Sequence, residues 1–385
     1  MIIQSKRVWL LNEFKAAQIE IENNRIKKIL PYNCKIVDVD YNDFRIVPGF
    51  IDIHTHGGYG FDTNDGHPDG LINWMRNLSY EGVTSFLPTC VSASDDVLIR
   101  ALKNVSDVKK LSLNESEILG IHLEGPYINK NYRGAHPEEV LLKPNISHFD
   151  KLQHSSDNLI KLVTIAPELD NASNMIEYLS NNNVVVSLGH SEATFDEVSN
   201  AVVKGAKSFT HIFNGIKAFH HRDNGFINAI FYYDNMYKEI ICDGIHLSLT
   251  TINNLFKYIG KDYTIMVTDA LNVKGLPNST ELMFANHLVK QSSDGSARAI
   301  INNELSGSCL KMNEALRILI EDASVPWEYA INSCTINPSR LLNIDNRKGK
   351  IASSYDADIV VLDDEYNVIQ TYVKGIAKIG ELKWD

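Results

Sequence analysis

Val-Pro-Gly-Phe-Ile-Asp-Ile-His-Thr-His-Gly-Gly-Tyr-Gly, residues 47–60, is the stretch from which the fold can be worked out. Its apolar run predicts a buried strand, which Pro-Gly precedes and Gly-Gly follows. Because side chains alternate along a strand, His54 and His56 lie on one face near its C-terminal end. Two converging neutral imidazoles suit a transition-metal ion, although strand-end histidines also occur as ordinary polar residues.

The composition excludes several classes of protein. Hydrophobic residues make up 44% of the chain, but no apolar run approaches the ~20 residues of a membrane span. The N-terminal residues lack the apolar core of a signal peptide. Five scattered cysteines favour a reducing, cytoplasmic location. The net charge of −11 disfavours nucleic acids and anionic membranes as partners, so an anionic substrate would need a local basic pocket.

The two ends of the chain differ in pattern from its middle. Short apolar or alternating runs separated by turns occupy residues 1–46 and 358–375, which predicts strands. Chain termini often lie close together. We therefore expect a small β-sandwich domain built from both termini, residues 1–48 and 346–385, around a larger domain of residues 49–345.

The middle of the chain alternates between strand-like and helical patterns. The β-branched apolar runs are residues 50–54, 83–89, 118–124, 160–166, 184–190, 206–212, 239–243 and 264–269. Helical periodicity fills most of the gaps, at residues 70–81, 95–109, 172–181, 194–204 and 249–259. Strands alternating with helices indicate a parallel sheet, and eight of them fit an α/β fold of the (β/α)8 TIM-barrel type.

Residues able to bind metal or transfer protons recur at the ends of these strands. They are His54, His56, Glu124, His190, His211 and Asp269. In a (β/α)8 barrel the carboxyl ends of all strands open on the face that carries the active site. Any one of these side chains could be an ordinary structural residue. Six of them at one mouth predict a metal-dependent active site.

Longer blocks of the chain resemble a known family. They are 48–57, 120–128, 133–136, 188–193, 210–216, 243–246, 267–270, 305–308 and 349–361. The first and last blocks resemble the amidohydrolase superfamily. The blocks between them, such as His-Leu-Glu-Gly-Pro and Asp-Gly-Ile-His, resemble its N-acetylglucosamine-6-phosphate deacetylases. The resemblance implies hydrolysis of N-acetylglucosamine 6-phosphate to glucosamine 6-phosphate and acetate.

The resemblance also implies a set of metal ligands. Glu124, His190 and His211 would hold the main divalent ion, and His54 and His56 a second one, with Glu124 able to bridge. One or two ions per chain are therefore expected. A His and Glu site accepts zinc, iron, manganese or cobalt, among which we favour zinc.

Catalytic and substrate-binding roles follow from the same resemblance. Asp269 would be the catalytic base and acid, His136 would contact the scissile acetamide, and His246 would contact the sugar. A carboxylate can take a proton from water and return it to the leaving amine. The alternative for His136 is a loop histidine that caps the backbone, and Asp269 could itself bind metal.

A phosphate site is implied near residues 214–222. Asn214 and Gly215 would offer backbone N–H groups, and Arg222 a charged fork. Relatives often have Ala in place of Gly215. Arg222 could instead lie in a solvated loop. No Gly-x-Ser-x-Gly elbow surrounds residues 305–308, so we interpret them as a pocket loop in which Leu305 and Ser306 contact substrate.

Other functions stay open from sequence alone. They are N-acetylgalactosamine-6-phosphate deacetylation, another amidohydrolase activity such as cyclic-amide hydrolysis or deamination, and a non-catalytic scaffold. The resemblance further implies a homodimer in which Arg222 serves its own site or that of the neighbouring subunit.

Overall fold

Eight parallel strands form a nearly closed barrel in the computed structural model, which describes residues 1–379. They are β1 (Phe50–Thr55), β2 (Val83–Cys90), β3 (Ile121–Glu124), β4 (Ile160–Ile165), β5 (Val185–Leu188), β6 (Ser208–Phe209), β7 (Tyr237–Ile241) and β8 (Thr264–Val267). Consecutive strands pair in parallel, and a short strand, Glu117–Ile118, precedes β3 on β2. The backbone N–H of Asp269 donates to the carbonyl of His54 at 2.9 Å, which joins the end of the barrel to its beginning. The predicted barrel is confirmed.

Helices follow the barrel strands in turn. They are α1 (Pro68–Leu78), α2 (Asp95–Lys110), α3 (Ile146–Ser155), α4 (Ala172–Asn181), α5 (Phe195–Val203), α6 (Phe226–Tyr232), α7 (Leu249–Ile259), α8 (Met312–Arg317), α9 (Trp327–Cys334) and α10 (Ile336–Leu341). A π-helical segment, Ile318–Asp322, continues α8. Short 3-10 helices span Thr63–Asp65, Ser79–Glu81, Lys130–Tyr132 and Glu138–Val140.

The first of these helices shows why the periodic segments pack on the barrel. In α1 the N-cap is His67, whose side chain accepts from the N–H of Gly70, and Pro68 occupies the first turn. Its buried residues are Leu71, Trp74, Met75 and Leu78. Their spacing gives one apolar face along the helix, and that face is directed at the core.

The barrel interior has its own small core below the active-site face. Ile51 and Ile53 of β1 join Leu162 of β4 and Val267 of β8 in this cluster. Leu341, from α10, belongs to the same cluster, so α10 packs against the floor of the barrel. The polar residues of the mouth therefore rest on a well-packed apolar layer.

Strands from both termini form a second sheet. They are Ile2–Leu10, Glu13–Glu22, Arg25–Pro31, Val39–Asp40, Arg45–Pro48, Ile359–Leu362, Val368–Val373 and Ile376–Ala377. Arg45–Pro48 joins the two groups, because it pairs with the first of these strands and with Ile359–Leu362. Ile3, Ile26 and Tyr372 share one buried cluster, as expected for a sheet that curls around its own core. The domain boundaries remain a prediction, and residues 380–385 of the expected domain lie outside the described residues.

A four-stranded antiparallel sheet between β8 and α8 was not predicted. Its strands are Glu281–Phe284, His287–Gln291, Ser296–Ala299 and Leu305–Ser308. The interpretation of residues 305–308 as a loop was therefore wrong in conformation. A bridge between Ala270 and Ser308 attaches this sheet to the end of β8, and a small hairpin of Gly57–Gly58 with Phe61–Asp62 follows β1. No helix within residues 1–379 has the length and hydropathy needed to cross a membrane.

Candidate metal centre and active site

The predicted strand-end residues meet in one pocket at the carboxyl end of the barrel. His56, Glu124, His190, His211 and Asp269 line it, and His54 lies fully buried beside them. Glu124 is the last residue of β3. The structure thus brings all six predicted residues together, although their roles remain proposals.

Three of these residues have an unusual backbone conformation. His190, His211 and Asp269 have φ values of +49°, +23° and +50°, and each lies two residues beyond the end of its strand. A left-handed conformation in a residue other than glycine costs about 1–3 kcal/mol and persists where the surroundings enforce it. The carbonyl of His190, for example, accepts the N–H of Asn129 at 3.0 Å. Such a cluster of strained residues is typical of a functional site.

The two oxygens of Glu124 face two different groups of histidines. Oε1 lies 3.0 Å from Nε2 of both His190 and His211. Oε2 lies 3.3 Å from Nε2 of His54 and 3.0 Å from Nε2 of His56. One carboxylate therefore stands between two pairs of imidazole nitrogens, as a bridging ligand would.

Hydrogen bonds on the far side of the rings define which nitrogen carries the proton. Nδ1 of His54 lies 2.9 Å from the Glu239 carboxylate. Nδ1 of His56 lies 3.2 Å from the Thr89 carbonyl, and Nδ1 of His190 lies 2.7 Å from the Tyr132 carbonyl. These oxygens are acceptors, so each Nδ1 is the donor. In the neutral ring, Nε2 then presents a lone pair to Glu124, as a metal ligand requires.

His136 has the opposite arrangement. The backbone N–H of Ser92 can only donate, and it lies 3.2 Å from Nδ1 of His136. Nδ1 is therefore an acceptor, and the neutral ring carries its proton on Nε2. That atom lies 3.4 Å from Oε2 of Glu124. His136 thus points an N–H donor into the pocket where the other histidines point lone pairs.

The donor set fits divalent transition-metal ions. The Nε2 atoms of His190 and His211 are 3.1 Å apart, and both face the same oxygen of Glu124. Ligand atoms about 2.0–2.1 Å from a tetrahedral zinc ion lie at similar spacing from one another. Nε2 of His54 is buried without a hydrogen-bond partner among the described residues. A cation would satisfy these lone pairs, which hydrogen bonds alone do not.

The charges of the centre reinforce one another. Burial raises the pKa of Glu124, but with no cation bound the charge of protonated His54 and hydrogen bonds from His136, His190 and His211 outweigh it and hold that pKa well below its ordinary value. A bound cation would supply this positive charge in place of the ring protons. Burial lowers the pKa of His136 to about 4, even though Glu124 opposes this. His136 is consequently neutral at pH 7, in agreement with its role as an N–H donor.

Asp269 lies beside the two histidines of β1. Its Oδ1 atom is 3.2 Å from Nε2 of His56 and 3.6 Å from Nε2 of His54. Burial raises the pKa of Asp269, but with no cation bound a hydrogen bond from protonated His56 and the charges of the nearby histidines lower it overall. The carboxylate is therefore ionised at neutral pH and able to accept a proton.

Most predicted substrate contacts line the same pocket. They are Asn214, Gly215, His246, Leu305 and Ser306. Nδ1 of His246 is held 2.6 Å from Asp243, so its other nitrogen is free to face a ligand. Phe284, from the unpredicted sheet, also lines the pocket and packs against His56 with ring centroids 5.3 Å apart. That sheet therefore forms one wall of the site.

Gly215 has a steric role that the sequence did not reveal. Its φ is +59°, and a Cβ atom there would lie 2.8 Å from Nδ1 of His190. Glycine is thus favoured both by its left-handed backbone conformation and by close packing against His190.

Arg222 lies apart from the other predicted residues. It is exposed and is absent from the residues that line the pocket in this chain. Its backbone N–H donates to Nδ1 of His220. Within one chain, Arg222 is therefore not part of the pocket that Asn214 and Gly215 line.

Sequence reasoning missed two residues that orient the histidines of the site. Ser92 orients His136, and Glu239 orients His54. Glu239 is fully buried in the middle of β7. A charged residue in a core strand is itself a signal, because unpaired carboxylates are almost never buried. No comparable signal marks Ser92.

Comparison with known proteins agrees with this geometry. A profile of the amidohydrolase family matches residues 45–377. The N-acetylglucosamine-6-phosphate deacetylase of Lysinibacillus sphaericus is 34% identical over 334 residues, which is 87% of this chain and 85% of that protein. The N-acetylgalactosamine-6-phosphate deacetylase of Escherichia coli O157:H7 is 31% identical over 364 residues, or 93% of each chain.

A solved structure extends the likeness to nearly the whole fold. It is a mutant of the N-acetyl-D-glucosamine-6-phosphate deacetylase of Mycobacterium smegmatis, in complex with N-acetyl-D-glucosamine-6-phosphate. That chain is 25% identical, with a TM-score of 0.93 over 99% of both chains. With its matching fold and candidate metal centre, the chain belongs to the amidohydrolase family of metal-dependent hydrolases.

Proposed function

We propose that the protein removes the acetyl group from N-acetyl-D-glucosamine 6-phosphate, releasing D-glucosamine 6-phosphate and acetate. The observation that carries the proposal is Glu124, whose two oxygens face four imidazole Nε2 atoms beside Asp269. The amino-sugar-phosphate deacetylases among the relatives supply the substrate class.

Different residues of the pocket would bind metal and transfer protons. Glu124, His190 and His211 would hold one divalent ion, and His54 and His56 a second, for which we favour zinc. A bound divalent cation supplies Lewis acidity, which polarises an amide carbonyl and acidifies water. Ionised carboxylates such as Asp269 can take the proton of an attacking water and return it to the leaving amine.

The N–H of His136 can stabilise the negative charge that forms during amide hydrolysis. Negative charge develops on the carbonyl oxygen as the amide carbon becomes tetrahedral. The neutral ring of His136 carries its proton on Nε2, which is directed into the pocket and can donate to that oxygen. Removing one such donor costs about 3 kcal/mol of transition-state stabilisation.

Replacing His136 with Ala should therefore lower kcat about 100-fold while KM changes little. Steady-state kinetics on N-acetylglucosamine 6-phosphate measure both constants. Ser92→Ala is the matched control: it removes a hydroxyl 2.7 Å from Nδ1 of His136 but keeps the backbone N–H that sets the tautomer. A larger loss for Ser92→Ala than for His136→Ala would refute this role.

We propose that Arg222 binds the substrate phosphate in the pocket of a neighbouring subunit. In its own chain Arg222 is exposed, and the exposed aromatic residues Phe219 and Tyr232 flank it in sequence. Exposed apolar side chains of this kind often mark protein interfaces. The protein would then be a homodimer with shared sites.

Arg222→Ala should lower kcat/KM for the phosphorylated substrate by about two to three decades, because it removes one partner of a charge pair. Activity on unphosphorylated N-acetylglucosamine should barely change, and Arg25→Ala, an exposed arginine on the terminal sheet, should have no effect. Mixing Arg222→Ala with Asp269→Asn chains should restore activity, since one site of the mixed dimer is complete. Failure of that recovery would place Arg222 in its own chain's site or outside catalysis.

Two further features belong to the proposal. A sugar phosphate is charged and does not cross membranes freely, so a cytoplasmic location suits this substrate. Neither nucleic acid nor a membrane is expected as a partner of a protein with net charge −11.

A substrate panel tests the proposed function. Acetate release should be fastest from N-acetylglucosamine 6-phosphate, slower from its galacto isomer, and negligible from cyclic amides such as dihydroorotate. Faster turnover of the galacto isomer would select the alternative that the Escherichia coli relative represents. No acetate release from either sugar by metal-loaded protein would overturn the proposal.

A further inference from the structure

Glu239 is a buried carboxylate that the proposed chemistry does not use. It lies in the middle of β7, with no exposed surface. Oε2 accepts from Nδ1 of His54 at 2.9 Å and, more weakly, from the backbone N–H of His211 at 3.4 Å. Its other oxygen, Oε1, has no hydrogen-bond partner among the described residues. Burying a carboxylate that has so few hydrogen bonds costs free energy unless positive charge lies close by.

We infer that Glu239 is a positioning residue that makes the second cation site, at His54 and His56, able to hold an ion. This inference rests on the proposed two-ion centre. The hydrogen bond to Glu239 keeps the proton of His54 on Nδ1, and therefore keeps a lone pair on Nε2. That lone pair faces Oε2 of Glu124 at 3.3 Å and Oδ1 of Asp269 at 3.6 Å.

The surroundings of His54 leave Glu239 as the acceptor that fixes the ring. The edge of His122 packs against His54 with ring centroids 4.5 Å apart, but the nitrogens of His122 contact Thr164 and Thr89 instead. His56, by contrast, is oriented by the backbone carbonyl of Thr89, which no substitution removes. Of the two histidines in this pair, His54 is the one that depends on a side chain.

The negative charge of Glu239 also favours binding of the second ion. Glu124, Asp269 and Glu239 bring three carboxylates to one buried centre. Their combined charge exceeds that of a single divalent ion, so a second ion compensates the excess. At the first site, Nδ1 of His190 contacts the carbonyl of Tyr132. Glu239 reaches that site only through the backbone N–H of His211, which donates to Oε2 at 3.4 Å and leaves the imidazole ring untouched. We therefore expect Glu239 to matter more for the second ion than for the first.

Equilibrium dialysis against Zn²⁺, followed by elemental analysis, tests the inference. The wild-type protein should bind two ions in separable steps. Glu239→Gln, which is nearly isosteric and keeps an acceptor oxygen but not the charge, should weaken the second step by about 10- to 100-fold. The affinity of the first step should stay within about threefold of wild type, which also shows that the variant is folded. An equal loss at both steps, or no loss at either, would overturn the inference.

A double-mutant cycle tests whether Glu239 acts through His54. In a His54→Ala background, Glu239→Gln should weaken the binding of a second ion far less than it does in the wild type, because the ring that it positions is gone. An undiminished loss in that background would refute the positioning role. A wild-type protein that binds one ion even at saturating Zn²⁺ would also overturn the inference, while acetate release by that protein would leave the proposed deacetylase function intact.

Discussion

Replacing Asp269 with Asn is expected to lower kcat about 10³- to 10⁴-fold. The amide nearly matches the carboxylate in shape but cannot accept a proton, and positioned proton transfer contributes rate factors of this order. The loss should be equal in kcat and in kcat/KM, since proton transfer operates in the transition state. Acetate release under steady-state conditions measures both.

The shape of the site should survive this substitution. The backbone N–H of Asp269 donates to the carbonyl of His54, and that bond does not involve the side chain. Metal at Glu124, His190 and His211 should therefore remain. Asp170→Asn, at an exposed aspartate that pairs with Lys143, is the control and should leave kcat unchanged. An Asp269→Asn protein that kept a tenth of wild-type kcat, with chemistry rate-limiting, would rule out Asp269 as the base.

Glu124→Gln should abolish both metal binding and activity. Both oxygens of Glu124 face imidazole lone pairs, so an amide there removes the negative charge and turns N–H donors towards one group of histidines. We expect kcat/KM to fall at least about 10⁴-fold, because the site would no longer hold the cation whose Lewis acidity the reaction would need. Elemental analysis of the purified variant should show little bound metal.

The control for this variant is the same substitution at a surface glutamate. Glu177 is exposed and pairs with Lys204, so Glu177→Gln should keep full metal content and activity. Circular dichroism should show that Glu124→Gln is folded, since the barrel core beneath the site is apolar and independent of the cluster. Full metal content and full activity in Glu124→Gln would contradict the bridging role of Glu124.

The barrel and its metal-ligand candidates were predictable because both follow local patterns. Each strand is a short β-branched run, and the candidate residues stand at or just beyond the end of each run, as Glu124, His190 and Asp269 do. The architecture then places all strand ends on one face. Helices with clear apolar periodicity, such as α1 and α2, were predicted for the same reason.

What the sequence did not reveal depends on contacts between distant segments. The strand Leu305–Ser308 is composed of Leu-Ser-Gly-Ser, which has no strand-like alternation, and it is held by pairing with residues 296–299 and Ala270. The tautomer of His136 depends on Ser92, which lies 44 residues away in the chain. The distance of Arg222 from the pocket likewise became visible only in the folded chain.

We propose that the cluster around Glu124 binds the metal with which the protein deacetylates an amino-sugar phosphate. Acetate release from N-acetylglucosamine 6-phosphate, measured against metal content while a chelator removes the metal and Zn²⁺ restores it, tests this claim most directly. We expect turnover to fall as metal is removed and to return as Zn²⁺ is restored. Undiminished turnover by a metal-free protein would contradict it.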